Sequence, residues 1–116
     1  MRDLALQIAG ALAIFVAVVH GAMAELQVFP KVHIESRRSQ RLLRMVWQAS
    51  TIDWICIGAL LIVAPTLGSE SARRWIIAAA VVAYGYAAIG NAVASRGRHV
   101  GCYLMGLVVG LSLMGL

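Results

Sequence analysis

Four apolar stretches, each close to a membrane's thickness in length and nearly free of charge, constrain this chain more than any other feature. A helix rises about 1.5 Å per residue, so about 20 residues cross a hydrocarbon core of about 30 Å. Only a helix or a closed barrel satisfies its own backbone in lipid. The stretches cover about 4–24, 44–65, 75–95 and 99–116. The first is interrupted only by Gln7 and His20, and the second has a polar first half holding Gln48, Ser50, Thr51 and Asp53. The fourth is short, which predicts that its end sits near the membrane surface or leans on a partner. Composition agrees: 61% of residues are hydrophobic and 13% charged, with a mean hydropathy of +0.84. A soluble domain carries about 25% charged residues. Disorder, a coiled coil and a disulfide-stapled secreted module are excluded. The expectation is an all-α chain forming one four-helix transmembrane domain over residues 1–116.

The connections predict its orientation. Residues 25–43 form the one long loop, rich in basic side chains; 66–74 reads as a turn with a helix cap at Ser69 or Ser71. Ser95-Arg96-Gly97-Arg98 reads as a tight turn, which makes the last two helices an antiparallel hairpin. Lys31, Arg37, Arg38, Arg41, Arg44, Arg96 and Arg98 fall on one side, against Arg2, Arg73 and Arg74 on the other. The positive-inside rule then puts both termini outside the cytoplasm. Met1-Arg2 before an apolar run, and Ala22-Met23-Ala24 after it, also fit a signal peptide, but the run is long for one and a retained helix is the better reading. Attraction to anionic lipid head groups follows from the same basic residues. A nucleic-acid partner is not expected, because no aromatics interleave with the basic residues of 31–44. Ladders of small residues (Ala13, Ala17, Gly21; Ala79, Ala83, Ala87; Gly106, Gly110) predict close helix packing, within the chain or between chains.

Polar residues gather at one depth. His20 lies about a turn inside the end of the first helix, with Glu25 at its mouth. Arg44 and Gln48 are spaced i, i+4 on the second helix, beside Trp47 and Thr51. Asp53 lies roughly 13 Å past Arg44 along that helix. Asn91 sits about a turn inside the end of the third helix, and Arg98 and His99 open the fourth. An acid at that depth costs at least about 2.5–3.5 kcal/mol on insertion scales, so Asp53 either pairs with Arg44, His20 or Arg98, stays protonated, or serves a ligand or proton pathway. For His20 the alternatives are a hydrogen bond to a neighbouring helix and a metal or haem ligand; Glu25 is expected to pair with a nearby arginine. Trp75 reads as an interfacial anchor, while Trp47 and Trp54 are expected to pack against other helices.

No constellation demands catalysis. There is no Ser/His/Asp arrangement, phosphate-cradling glycine loop or HExxH, and Cys56 and Cys102 are isolated. No cofactor is required, although His20 and His99 could hold a haem if the first and fourth helices face each other at that level.

His20-Gly21-x-x-x-Glu25, a basic loop, Arg41-Leu42-Leu43-Arg44-x-x-Trp47-Gln48-x-Ser50-x-x-x-Trp54 and Gly97-Arg98-His99-x-Gly101 together resemble a family of small four-helix bacterial inner-membrane proteins. That family carries a His-Ser-x-x-Gly-Glu motif ending helix one and an Arg-x-x-Trp-His motif opening helix two. The resemblance covers nearly the whole chain and implies a fold and a location, but no activity. It places the signature positions on His20, Glu25, Arg44, Trp47 and His99. Ala24 stands where the family has glycine and Gln48 where it has histidine, and the second change removes a metal ligand more readily than it breaks a polar network. Three functions are therefore expected in descending order. The first is a non-catalytic subunit docked on a larger membrane complex. The second is a homo-oligomeric transporter or proton-coupled carrier using Asp53 and His20. The third is a haem or other cofactor bundle using His20 and His99.

Overall fold

A computed structural model describes residues 1–116, and every element in it is helical. α1 covers Arg2–Met23 and runs directly into a π-helical turn, Ala24–Val28. α2 covers Arg37–Val63 and closes with a 3₁₀ turn, Ala64–Leu67, whose Pro65 cannot supply the next backbone donor. α3 covers Glu70–Ser95 and α4 covers Val100–Leu113. α1, α2 and α3 are long and apolar enough to cross a membrane. α4, at 14 residues, spans roughly 21 Å and is shorter than the stretch 99–116 suggested.

α2 starts seven residues before the expected 44, because Ser36 caps it: its side chain accepts from the Ser39 N–H at 3.3 Å. Hydropathy alone misses that start, since the first two turns are basic and polar yet favourable to helix. The long loop shrinks accordingly to about 29–36. α3 likewise begins at Glu70, five residues early, with Ser69 accepting from the Ala72 N–H at 3.2 Å. Between α3 and α4, Arg96 (φ 53°) and Gly97 (φ 72°) both take the left-handed conformation, which turns the chain within a few residues.

The packing is that of two helical hairpins, α1 against α2 and α3 against α4, joined mainly through α1. α1 lies innermost. Its buried face is mostly small residues, Ala5, Ala9, Gly10, Ala13, Ala17 and Gly21, with Leu6 and Val16 among them. Gly10 meets Gly58 of α2, where a Cβ on Gly10 would collide with the Gly58 carbonyl oxygen. The ladder Ala13, Ala17, Gly21 thus lies within the chain, against α2 and its neighbours. The fourth helix behaves differently, for Gly106 and Gly110 face outward with nothing near them. Of the α3 ladder, Ala79 is exposed, while Ala83 and Ala87 are partly buried against the cluster that includes Tyr84 and Met105; the fully buried residues of that helix are Arg73, Ile77, Ala80 and Tyr84.

Size and burial run opposite to a water-soluble domain. Phe15, Val18, Ile52, Val82, Ile89, Val93 and Leu107 all lie exposed, while alanine and glycine dominate the interior. This arrangement suits lipid, where large apolar side chains lose nothing by facing outward and small ones let backbones approach.

Candidate functional site

The end of the bundle formed by the C-terminal turns of α1 and α3 and the N-terminal turns of α2 and α4 gathers most of the polar residues singled out above. The π turn at Ala24–Val28 keeps the chain helical past Met23 and so carries Glu25 alongside the start of α2. Glu25 then lies 2.8 Å from Arg44 through its second carboxylate oxygen. Its first oxygen accepts from Gln48 Nε2 at 3.0 Å. The same Gln48 nitrogen donates to the Gly21 carbonyl at 3.3 Å. A carboxamide nitrogen has two hydrogens and both are used here. Gly21 lacks a Cβ that would stand 2.8 Å from Thr51 and 3.1 Å from Gln48, so the glycine is what lets α2 come this close. Four residues therefore knot α1 to α2, with Gln48 acting as a hydrogen-bond clasp.

His20 sits behind that knot in a column of rings. Its ring stacks on Trp47 with centroids 4.9 Å apart and planes 12° from parallel, and its centroid lies 4.7 Å from that of Trp54, tilted by 36°. Trp47 meets the edge of Phe29 at 5.8 Å, and Trp54 lies 5.3 Å from Tyr84. Ser50 Oγ donates to the Trp47 carbonyl at 2.6 Å, so its remaining contact, to His20 Nε2 at 3.5 Å, is one in which the histidine donates. Tyr84, fully buried, places its hydroxyl 3.2 Å from the Ala13 carbonyl and 3.1 Å from the Trp54 carbonyl. One phenol thus joins α1, α2 and α3. The residue escapes sequence inspection because a single tyrosine in an apolar helix has no distinguishing neighbours; the column needs three helices in place.

On the other side of Trp47 a cavity of about 400 Å³ opens between α1 and α4, lined among others by His20, Trp47, Asn91 and His99. The Trp47 Nε1–H is buried and meets no acceptor. His99 is a helix cap: Nδ1 accepts from the Gly101 N–H at 3.0 Å, and its own N–H donates to Ser95 Oγ at 3.1 Å. Asn91 donates to the Ala87 carbonyl one turn back at 2.9 Å and touches Met105 Sδ at 3.8 Å. Arg98 is exposed. His20 and His99 share this cavity; His20 Nε2 lies 3.5 Å from Ser50 Oγ, and the Nδ1 of His99 is engaged by its own helix. Nowhere do three histidine, cysteine, aspartate or glutamate side chains converge as metal ligands would.

Asp53 stands apart from all of this. It follows the inward-facing Thr51 by two residues, about 200° around the helix, and points away from the bundle. It forms none of the three ion pairs in the chain and no side-chain hydrogen bond, so the expected partnership with Arg44, His20 or Arg98 does not form. Around it on the same face lie Ala49, Ile52, Cys56 and Leu60, all exposed.

The opposite end carries a second polar contact that charge counting alone does not reveal. Arg73 is only 8% exposed, and its Nε donates to the Gly115 carbonyl at 2.8 Å. Its Nη2 lies 2.7 Å from Asp3 Oδ1, an ionic contact by distance whose alignment is poor for a hydrogen bond. The arginine ties α3 to both chain ends, a role rather different from a surface topology signal.

No family model, no curated protein and no solved structure matches the chain.

Proposed function

We propose that this protein is a small, non-catalytic subunit of a bacterial inner-membrane assembly, with all four helices in the bilayer and both termini outside the cytoplasm. It docks on its partner through the outer face of α2. One observation carries the proposal: an acid without a partner lies near the middle of the apolar part of α2 and faces outward. Left in lipid, such a group costs about 2.5–3.5 kcal/mol on insertion scales and more on an isolated helix. A partner helix presenting lysine, arginine, histidine or an amide donor at the same depth removes that cost. The small residues Ala49 and Cys56, one turn to either side, allow its backbone to come close.

The polar residues between helices support the same conclusion. Gln48, Glu25, Arg44 and Tyr84 use their polar contacts to hold helices together, and Ser50 bonds the Trp47 carbonyl of its own helix. His20 and Asp53, which a carrier would place in one pathway, share no hydrogen bond or ion pair. The basic end of the bundle faces the cytoplasm, where the anionic head groups of the inner leaflet attract it.

The test is native mass after gentle detergent extraction from the protein's own membranes, for wild type and for Asp53→Asn and Asp53→Leu. Wild type is expected inside a larger heteromeric assembly, and Asp53→Leu is expected to leave it while keeping its helix content. A wild-type chain that emerges as a monomer, or an Asp53→Leu chain that stays bound, overturns the proposal. Emergence as a homo-oligomer moves the function into the chain's own helices and equally overturns it.

A further inference from the structure

The first turns of α2 set four basic residues, Arg37, Arg38, Arg41 and Arg44, at the positive end of the helix, with no acidic residue in the first turn. That is the wrong sign for the helix dipole, which favours anions there. Arg37, Arg41 and Arg44, spaced i, i+4 and i+7, lie on one side and with Gln40 line a basin of about 390 Å³. Phe29 and Pro30 form its other wall. Glu25 neutralises Arg44, whose guanidinium also lies 5.2 Å over the Phe29 ring and is thereby held in place. Arg37 and Arg41 have no counter-charge: neither takes part in any of the chain's ion pairs, and the nearby Glu35 pairs with neither.

We infer that Arg37, Gln40, Arg41 and Arg44 seat the phosphodiester of an anionic phospholipid. Guanidinium matches phosphate oxygens in a bidentate fork, whose planar geometry limits the entropy lost per hydrogen bond formed. The basin lies where the apolar span begins, and Met45, one turn below Arg41 on the same side, is exposed to receive an acyl chain. A phosphate attached to a lipid fits this mixture of charge and apolar wall better than a free one. The inference rests on the bilayer placement proposed above but not on the docking face, since Asp53 lies roughly 13 Å farther along α2.

The full chain in maltoside detergent is titrated with dihexanoylphosphatidylglycerol, with dihexanoylphosphatidylcholine and with inorganic phosphate, and bound lipid is counted by native mass spectrometry. Wild type is expected to prefer the glycerol lipid at least about tenfold. The double variant Arg37→Gln/Arg41→Gln is expected to lose about thirtyfold of that affinity, two basic groups' worth. Arg96→Gln/Arg98→Gln removes the same charge from the same end of the bundle and is expected to bind as wild type does. Equal losses in the two doubles would mean diffuse attraction and overturn the site, as would equal binding of the two lipids. Displacement of the glycerol lipid by inorganic phosphate at comparable concentration would overturn the lipid as the source of the phosphate. The Asp53 variants report the docking proposal separately, since they leave all four residues of the basin unchanged.

Discussion

The α1–α2 crossing at Gly10 and Gly58 predicts a series of glycine substitutions whose effects depend on place and not on chemistry. A Cβ on Gly10 would collide with the Gly58 carbonyl and stand 2.6 Å from Ile62 Cγ1 and 3.0 Å from the Ile62 nitrogen. Two of those three atoms are backbone, so relief requires the helices to separate. A Cβ on Gly58 would lie 2.8 Å from Ile14 Cγ1 and 2.9 Å from the Gly10 carbonyl, which allows partial relief by the Ile14 side chain. Gly106 and Gly110 have nothing within 4 Å of an added Cβ. Forcing one methyl group into a packed interface costs about 1–3 kcal/mol. Against it stands alanine's helix propensity, about 1 kcal/mol better than glycine. Unfolding in sodium dodecyl sulfate leaves separated helices helical, so the propensity difference drops out and the steric cost is read directly. Gly10→Ala is expected to lose about 2–3 kcal/mol and Gly58→Ala about 1–2 kcal/mol. Gly106→Ala and Gly110→Ala are expected to fall within about 0.5 kcal/mol of wild type. The Gly10→Ala/Gly58→Ala double is expected to cost less than the sum, because one separation relieves both collisions. Tryptophan fluorescence against detergent mole fraction measures each value, since Trp54 lies on the same helix as Gly58. A Gly10→Ala protein as stable as Gly106→Ala would refute the packing of α1 on α2.

Other interactions differ in expected size. Tyr84→Phe, which removes a hydroxyl shared between two helical carbonyls, is expected to cost about 0.5–1.5 kcal/mol in the same titration with helix content unchanged. Arg73→Met is expected to cost about 1–3 kcal/mol, because the Gly115 carbonyl loses its buried donor. Asp3→Asn is expected to cost under about 1 kcal/mol, because Asp3 is well exposed and its attraction is screened. A larger loss for Asp3→Asn than for Arg73→Met would reverse the assignment of burial at that end.

Much of the architecture was legible before any packing was considered. Apolar runs long enough to cross a membrane locate the helices, and the turn at Arg96-Gly97 is legible because its short linker, with glycine to accept the left-handed conformation, leaves room for little else. α2 and α3 start earlier than hydropathy places them, because hydropathy tracks only the apolar part of a helix, whereas the helix itself begins at its cap, Ser36 or Ser69. Glu25, Arg44 and Gln48 could be grouped from spacing, since a short separation on one helix and one connection bring them together.

Which way each polar side chain faces was decided by tertiary structure alone. Thr51 and Asp53 differ by two positions and end on opposite sides of α2, a distinction that depends on where α1 lies around it. Tyr84 is a bridge only because Ala13 and Trp54 present carbonyls to it from two other helices. Arg73 is a buried tie only because the chain's two ends meet there. Four apolar helices and the placement of charge can be read residue by residue, because they follow from hydropathy and local chain geometry. Which residues are shared between helices and which face outward follows from packing, because a helix has no inside until another helix packs against it.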